Sequence, residues 1–320
     1  MGRYIIRRLL QMIPLLALLS VFMFTLIHLL PGGPDQVIFN PRLNAAGRAA
    51  LRAHFGLNDP VPIQYVKWLS RVLVGDFGFS FGNNLPVSYI LSQRFPATLE
   101  LFSYALLLAL FLAIALGVIS ALRQGSVVDY GLTTLSYFGI AMPTFLFALF
   151  AQYIFGVWLH VLPTSGTETV GYTLSPFDAF VDHFAHLILP MLVLALTFIA
   201  GWSRYMRSSM IEVVKQDYMR TARAKGVGTL ALLLRHALRN ALIPLVTVVA
   251  LDFAYVAGGA TIVEGIFAWP GMGLLFIQSL QVRDYPVLLA MLMIGAGFVI
   301  LFNLLADILY AVLDPRIRYT

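Results

Sequence analysis

Long apolar runs recur along this chain, at about 9–30, 99–122, 132–159, 187–202, 241–263 and 286–313. Most exceed the roughly 18 residues that carry a helix across a hydrocarbon core of about 30 Å. They are apolar on every face, whereas strands of a membrane barrel alternate apolar and polar residues over about ten positions, which argues against a β-barrel. With 60% hydrophobic and only 11% charged residues in 320, a soluble globule is excluded as well. The expectation is an all-α polytopic membrane protein with six transmembrane helices, the fourth short and carrying Pro190.

The first run follows Arg3, Arg7 and Arg8 and ends at Pro31-Gly-Gly-Pro34. It is far longer than the roughly 7–15 apolar residues of a signal peptide and lacks a small-x-small cleavage site, so it reads as a retained anchor. Six spans put both termini on one side, and the charges decide which. Fourteen of the 21 Lys and Arg fall in the N-terminus, at Arg123, in segment 204–239, and at Arg316 and Arg318, which makes those regions cytoplasmic. The net charge of +6 is thereby assigned to membrane topology and not to nucleic acid. Trp158 and Trp202 sit near expected span ends, where amphipathic rings favour the headgroup zone. The chain then divides into an N-terminus and first helix (1–30), an external segment (31–98), a transmembrane core (99–313) with a basic internal segment (204–240), and a cytoplasmic tail (314–320). Within the external segment, 40–56 and Gly75-Asp-Phe-Gly78 suggest helical and turn-like pieces. There are no cysteines, which removes disulfides, thiolate metal sites and thiol nucleophiles.

The basic segment carries the sharpest pattern. Residues 218–225, Tyr-Met-Arg-Thr-Ala-Arg-Ala-Lys, are good helix formers; Asp217 can cap the start and Gly226 can supply a left-handed stop. Beyond it Leu230, Leu233, Leu234, Ala237, Leu238 and Ala241 recur at helical spacing, leading through Pro244 into the fifth span. A short helix ringed by Arg220, Arg223 and Lys225 fits a groove on a cytoplasmic protein. The alternative is an interfacial helix whose Lys and Arg meet anionic lipid headgroups.

The stretch Arg220-Thr-Ala-Arg-Ala-Lys-Gly226, followed by Arg235-His-Ala-Leu-Arg-Asn-Ala-Leu-Ile-Pro244, resembles the Glu-Ala-Ala…Gly loop of ABC importer permeases, in the form of the dipeptide, oligopeptide and nickel branch. The resemblance extends through Gly75-Asp-Phe-Gly-Phe-Ser80, Arg94-Phe-Pro-Ala-Thr-Leu99, Glu264-Gly-Ile-Phe-Ala-Trp-Pro-Gly271, Arg283-Asp-Tyr-Pro286 and Asp314-Pro-Arg316, in order along nearly the whole chain. It departs from the general importer motif at Arg220, in place of Glu, and at Arg239, in place of Pro; both are usual in the peptide branch.

That resemblance implies a type I importer permease in a bacterial or archaeal cytoplasmic membrane. The helix 218–225 would be the coupling helix, with Asp217, Tyr218, Arg220, Thr221, Ala222, Arg223, Ala224, Lys225 and Gly226 meeting an ATPase. The implied partners are a second, homologous permease chain, two cytoplasmic ABC ATPases and an external solute-binding protein. ATP and magnesium would sit on the ATPases and no cofactor on this chain, which has no Gly-x-x-x-x-Gly-Lys-Ser/Thr loop. The implied substrate is a dipeptide or oligopeptide, with nickel, glutathione or another peptide-like solute as alternatives.

An acid near the bilayer centre costs about 2.5–3.5 kcal/mol on insertion scales and needs a partner or a wet cavity. Asp252, with Tyr255, Gly258 and Gly259, is a candidate for the translocation path; a hydrogen bond between helices is the competing explanation. Asn303 and Asp307 share a helix face and read as helix pairing. Glu264, ahead of Trp269 and Pro270, is a candidate for an external gate, or else an exposed loop acid. His183 and His186 near Asp178 and Asp182 read as an interfacial helix start, with Asp182 near its cap, and not as a metal site. Rival classes fare worse: no His-Glu-x-x-His or paired intramembrane aspartates suggest an intramembrane enzyme, and no internal repeat suggests an ion-driven carrier.

Overall fold

The computed structural model describes residues 2–29, 46, 49, 52, 53 and 57–313. Most of the piece expected at 40–56, the tail with Asp314-Pro-Arg316, and the side chain of Tyr255 lie outside the described residues. Among the described residues there is no β-strand, only an isolated bridge between Phe79 and Pro86. The helices are α1 (Gly2–Leu29), α2 (Val61–Val72), α3 (Val87–Leu122), α4 (Val127–Ala141), α5 (Thr144–Trp158), α6 (Pro176–Val214), α7 (Asp217–Ala224), α8 (Thr229–Asp252), α9 (Thr261–Ile266), α10 (Met272–Gln281) and α11 (Tyr285–Leu313). Four of these, α3, α6, α8 and α11, are long and apolar enough to cross a bilayer, and α4 with α5 makes a further, bent candidate. The protein is an all-α polytopic membrane protein.

Three expected spans change shape. The run at 132–159 is two helices bent by 102°. The break falls at Met142, extended at ψ 126°, immediately before Pro143, because a proline ring disfavours helical backbone in the residue before it. The run at 187–202 belongs to α6, a 39-residue helix about 58 Å long at about 1.5 Å per residue. Its polar flanks, from His183 back to Asp178 and from Arg204 to Arg207, cut the apolar run short in sequence but do not break the helix. Ser175 rather than Asp182 caps its start, accepting the amide of Asp178, with Pro176 at the first position, where a missing N–H leaves nothing unpaired. The run at 241–263 begins at Thr229, continuous with the amphipathic segment, and gives way at Phe253 to a 3₁₀ turn reaching Gly258. The left-handed Gly259 (φ 73°) ends it.

The chain divides into two compact units. The first comprises Met1–Thr98, Ala257–Thr261 and Pro270–Leu301. Its core packs Val87, Ile90 and Leu91 of α3 against Met272 and Leu275 of α10 and Val287, Ala290 and Met291 of α11. A second cluster sets Phe24 of α1 beside Tyr285, Leu288 and Leu289, with Tyr65 and Trp68 of α2 against it. The second unit comprises Leu99–Val256, Ile262–Trp269 and Phe302–Thr320. Here α6 is the central helix: half of its most apolar stretch is buried inside the chain, against a third or less for the other spans. Close approach is built in at Gly117, where an added Cβ would lie 2.6 Å from that of Met206.

Candidate functional site

α7 begins one residue earlier than the sequence suggests. Gln216 occupies the cap without a side-chain bond, and Asp217 is the first helical residue, where its charge favours the helix N-terminus. The end is a two-bond stop: the Gly226 amide donates to Arg223 O (3.0 Å) and the Val227 amide to Ala222 O (3.3 Å), with Gly226 at φ 80°. Met219 is buried and Ala222 half-buried, so these two form the face turned toward the rest of the unit. Asp217, Tyr218, Arg220, Thr221, Arg223, Ala224, Lys225 and Gly226 are exposed. Asn240 of α8 donates to the Tyr218 hydroxyl at 3.1 Å, which ties the helix to the start of the following span. The result is a short rod, fixed along one side and polar along the other.

What holds its root was not legible in the sequence. Seven residues before the end of α6, Arg207 grips Asp129 of α4 with two parallel bonds, Nε to Oδ1 at 2.7 Å and Nη2 to Oδ2 at 2.8 Å. Ser120 of α3 donates to the same carboxylate, and the Gly125 amide adds a bond of 2.9 Å. Asp129 is 2% exposed, so all of its acceptor capacity is taken up inside the protein. By charge count Arg207 reads as one more cytoplasmic cation, and for Asp129 the only local signal is an acid three residues after a helix-capping serine.

Asp252 sits at the last residue of α8 and accepts from the indole Nε1 of Trp202 at 2.6 Å. The helix-pairing explanation therefore holds for one carboxylate oxygen. Trp202 itself is 1% exposed, deep within α6, which corrects its expected place at a membrane interface. Trp158, at the end of α5, is 69% exposed. Gly258 is open, with no atom within 4 Å of an added Cβ. Glu264 is not an exposed loop acid: it lies in α9 with no exposed surface, and the fully buried Trp269 donates its amide to the Glu264 carbonyl at 2.9 Å. Pro270 is partly buried.

Motifs that are separate in sequence meet in the first unit. Asp284, from Arg283-Asp-Tyr-Pro286, accepts from the Ser80 hydroxyl and from the amides of Phe81 (3.0 Å) and Gly82 (3.2 Å), closing the Gly75–Ser80 turn onto the start of α11. Thr98, from Arg94–Leu99, accepts the Met272 amide at 2.7 Å and so caps α10, whose own N-cap Gly271 has no side chain to do it. His183 and His186 are engaged by protein atoms, Glu100 and Thr167 for the first and the Asp182 carbonyl for the second. Among the described residues no group of three or more potential metal ligands occurs.

The family described as "Binding-protein-dependent transport system inner membrane component" matches residues 113–319, and the corresponding N-terminal family matches residues 1–102. The oligopeptide transport system permease protein AppB of Bacillus subtilis (strain 168) is 44% identical over 320 residues, covering the whole of both chains. The probable peptide ABC transporter permease protein y4tP of Sinorhizobium fredii is 40% identical over 319 residues, again covering both chains completely. The glutathione transport system permease protein GsiC of Salmonella paratyphi A is 39% identical over 319 residues, with the same full coverage. Together with a polytopic helical fold and a short amphipathic rod between two spans, these matches make the chain a member of the family of inner membrane components of binding-protein-dependent transport systems.

Proposed function

We propose that this chain is one of two homologous permease subunits of an ATP-driven peptide importer, with α7 as the coupling helix. Six spans, counting α1 and the bent α4–α5 pair, leave both termini in the cytoplasm; α7 docks on one of two ATPase subunits and residues 31–98 face an external solute-binding protein. The chain performs no chemistry of its own. ATP and magnesium act on the ATPases, and their closure pushes α7 and reorients the spans between inward-open and outward-open states. Asp252, Tyr255, Gly258 and Gly259 line the path, and Glu264 with Trp269 and Pro270 shapes the external gate. The observation that carries the reading is α7 itself: one face anchored by Met219, the other exposed and polar, and a glycine stop.

Peptide is favoured as substrate by the full-length match to a chain named as an oligopeptide permease. The 39% relative named for glutathione supports a tripeptide-like solute as the second reading.

The test is ATP-dependent uptake of a labelled peptide by the reconstituted assembly, with glutathione as competitor. Ala224→Trp is the probe of choice, because Ala224 is exposed while Ala222 is half-buried beside Met219 and a bulky group there would disturb folding too. Ala224→Trp and Gly226→Pro, the latter incompatible with φ 80°, should insert normally and abolish uptake. Unchanged substrate-stimulated ATP hydrolysis in both would remove α7 from the coupling role. The absence of cysteines makes orientation directly testable, with Ser165→Cys expected to react from outside and Thr221→Cys from inside.

A further inference from the structure

Within the second unit, α4 and α6 run antiparallel and meet in a ladder of contacts. Arg207 pairs with Asp129, the hydroxyls of Ser203 and Ser136 lie 3.1 Å apart, and an added Cβ on Gly139 would come 3.1 Å from that of Ala200. On the flank of this ladder Arg204 lays its guanidinium over the ring of Tyr137, 4.7 Å from the centroid. Both side chains are exposed. The two arginines, one turn apart, differ in how their charge is met. Arg207 is neutralised by a buried carboxylate, whereas among the described residues no acid pairs with Arg204.

The surface around that unpaired charge changes character from one side to the other. Toward the start of α6 the large exposed side chains are apolar: Leu196 and Leu192 on α6, with Phe138 and Ile140 on α4. At about 1.5 Å per residue, Leu196 and Leu192 lie about 12 and 18 Å from Arg204 along the axis, which covers the roughly 15 Å of hydrocarbon in one leaflet. Toward α7 the exposed positions become polar, at Ser208 and Glu212. A cation stacked on an exposed tyrosine at such a boundary suits the headgroup zone. A recess of about 210 Å³ opens beside it, and the hydroxyls there are committed. Thr133 donates to Asp129 (3.5 Å) and Ser136 to the Leu132 carbonyl (2.9 Å), which makes Ser203 the donor to Ser136. An anion is therefore received on the surface, by the guanidinium, and not inside the recess.

We propose that Arg204, stacked on Tyr137, binds the phosphate of an anionic phospholipid in the leaflet on the α7 side, with the acyl chains lying along Leu196, Leu192 and Phe138. Charge and the order of the surfaces select this ligand. A phospholipid carries an anion at one end and about one leaflet of hydrocarbon beyond it, which is the order that α6 presents from Arg204 to Leu192. A peptide would offer a carboxylate without that length of hydrocarbon. The lipid would lie across the same two helices that Arg207 and Asp129 lock, adding a second tie between them. The site needs only the membrane assignment and is independent of the importer reading.

The test measures lipid retention by the purified assembly, using native mass spectrometry in micelles that contain phosphatidylglycerol or phosphatidylcholine. A photoreactive p-benzoylphenylalanine in place of exposed Phe138 maps the site. The parent should retain phosphatidylglycerol about fivefold better than phosphatidylcholine, as one cation at an anionic surface gives. Arg204→Gln should abolish that preference without lowering the melting temperature in detergent alone. Lys215→Ala, which removes an exposed cation just past the end of α6, should keep it. Light should join position 138 to phospholipid. A preference that survives in Arg204→Gln, or that falls equally in Lys215→Ala, overturns the proposal, as does a cross-link from position 138 to a protein chain or to a labelled peptide. Release of the lipid by excess inorganic phosphate also overturns it, because the acyl chains would then contribute nothing. Peptide uptake by the same assembly is read in parallel: lipid retention as stated without uptake leaves this site standing and removes the importer reading, and uptake without a lipid preference gives the reverse.

Discussion

Two carboxylates of the second unit, Asp129 and Asp252, are held in opposite ways. Asp129 is 2% exposed and receives Arg207 twice, Ser120 and the Gly125 amide. Asp252, among the described residues, receives the Trp202 indole alone and stays partly exposed at the end of α8. The first has no capacity left for anything that moves, so its role is to fix the ends of α3, α4 and α6 together. The second is oriented by one bond and keeps an oxygen available. An acid in a membrane protein thus becomes a strut when donors fill its acceptor sites, and the number of those donors is not revealed by the acid's own position in the sequence.

The contrast predicts the largest effect at Arg207. Arg207→Met leaves a buried charge alone and should cost about 3 kcal/mol, read as a lower melting temperature of the purified assembly, whereas Arg207→Met with Asp129→Leu should recover most of it. Equal melting of single and double variants would erase the distinction between the two acids. Trp202→Phe should cost less, about 1.5 kcal/mol, because it removes one bond to a group that water can still reach. Its companion Asp252→Asn keeps an acceptor for Trp202, so it should leave stability nearly unchanged and lower uptake of lysine-containing peptides relative to neutral ones. Equal loss for both peptide types would make Asp252 another strut. The smallest change is expected at Gly226→Ala, about 1 kcal/mol of local strain at a left-handed position, visible as fraying of α7 by hydrogen exchange rather than as a melting shift.

The parts of this fold that were legible in advance are those set by neighbours in the chain. Long apolar runs, and α7 to within one residue, follow from periodicity and a glycine stop. The Met142-Pro143 break was also local, but an unbroken apolar run masked it. By contrast, the length of α6 depends on polar residues whose partners are far away in sequence: Arg207 with Asp129, and His183 with Glu100. Without those partners in view, each looked like the edge of a span. The exposed-loop alternative for Glu264 fails for the same reason, since its position before Trp269-Pro270-Gly271 does not reveal the tertiary packing that buries it. Gln152, which donates to two separate carbonyls, gave no signal at all within its apolar surroundings.

α6 carries His183 near one end and Arg207 near the other, and no loop interrupts the path between them. On the coupling role proposed for α7, torque applied where it departs has a stiff shaft to travel along, with a weak joint at Pro190, which cannot donate to the carbonyl of His186, one turn beyond His183. How much of a twist reaches the far terminus is set at that imino ring, and stiffening it with alanine would change the gearing of the machine without touching either of its ends.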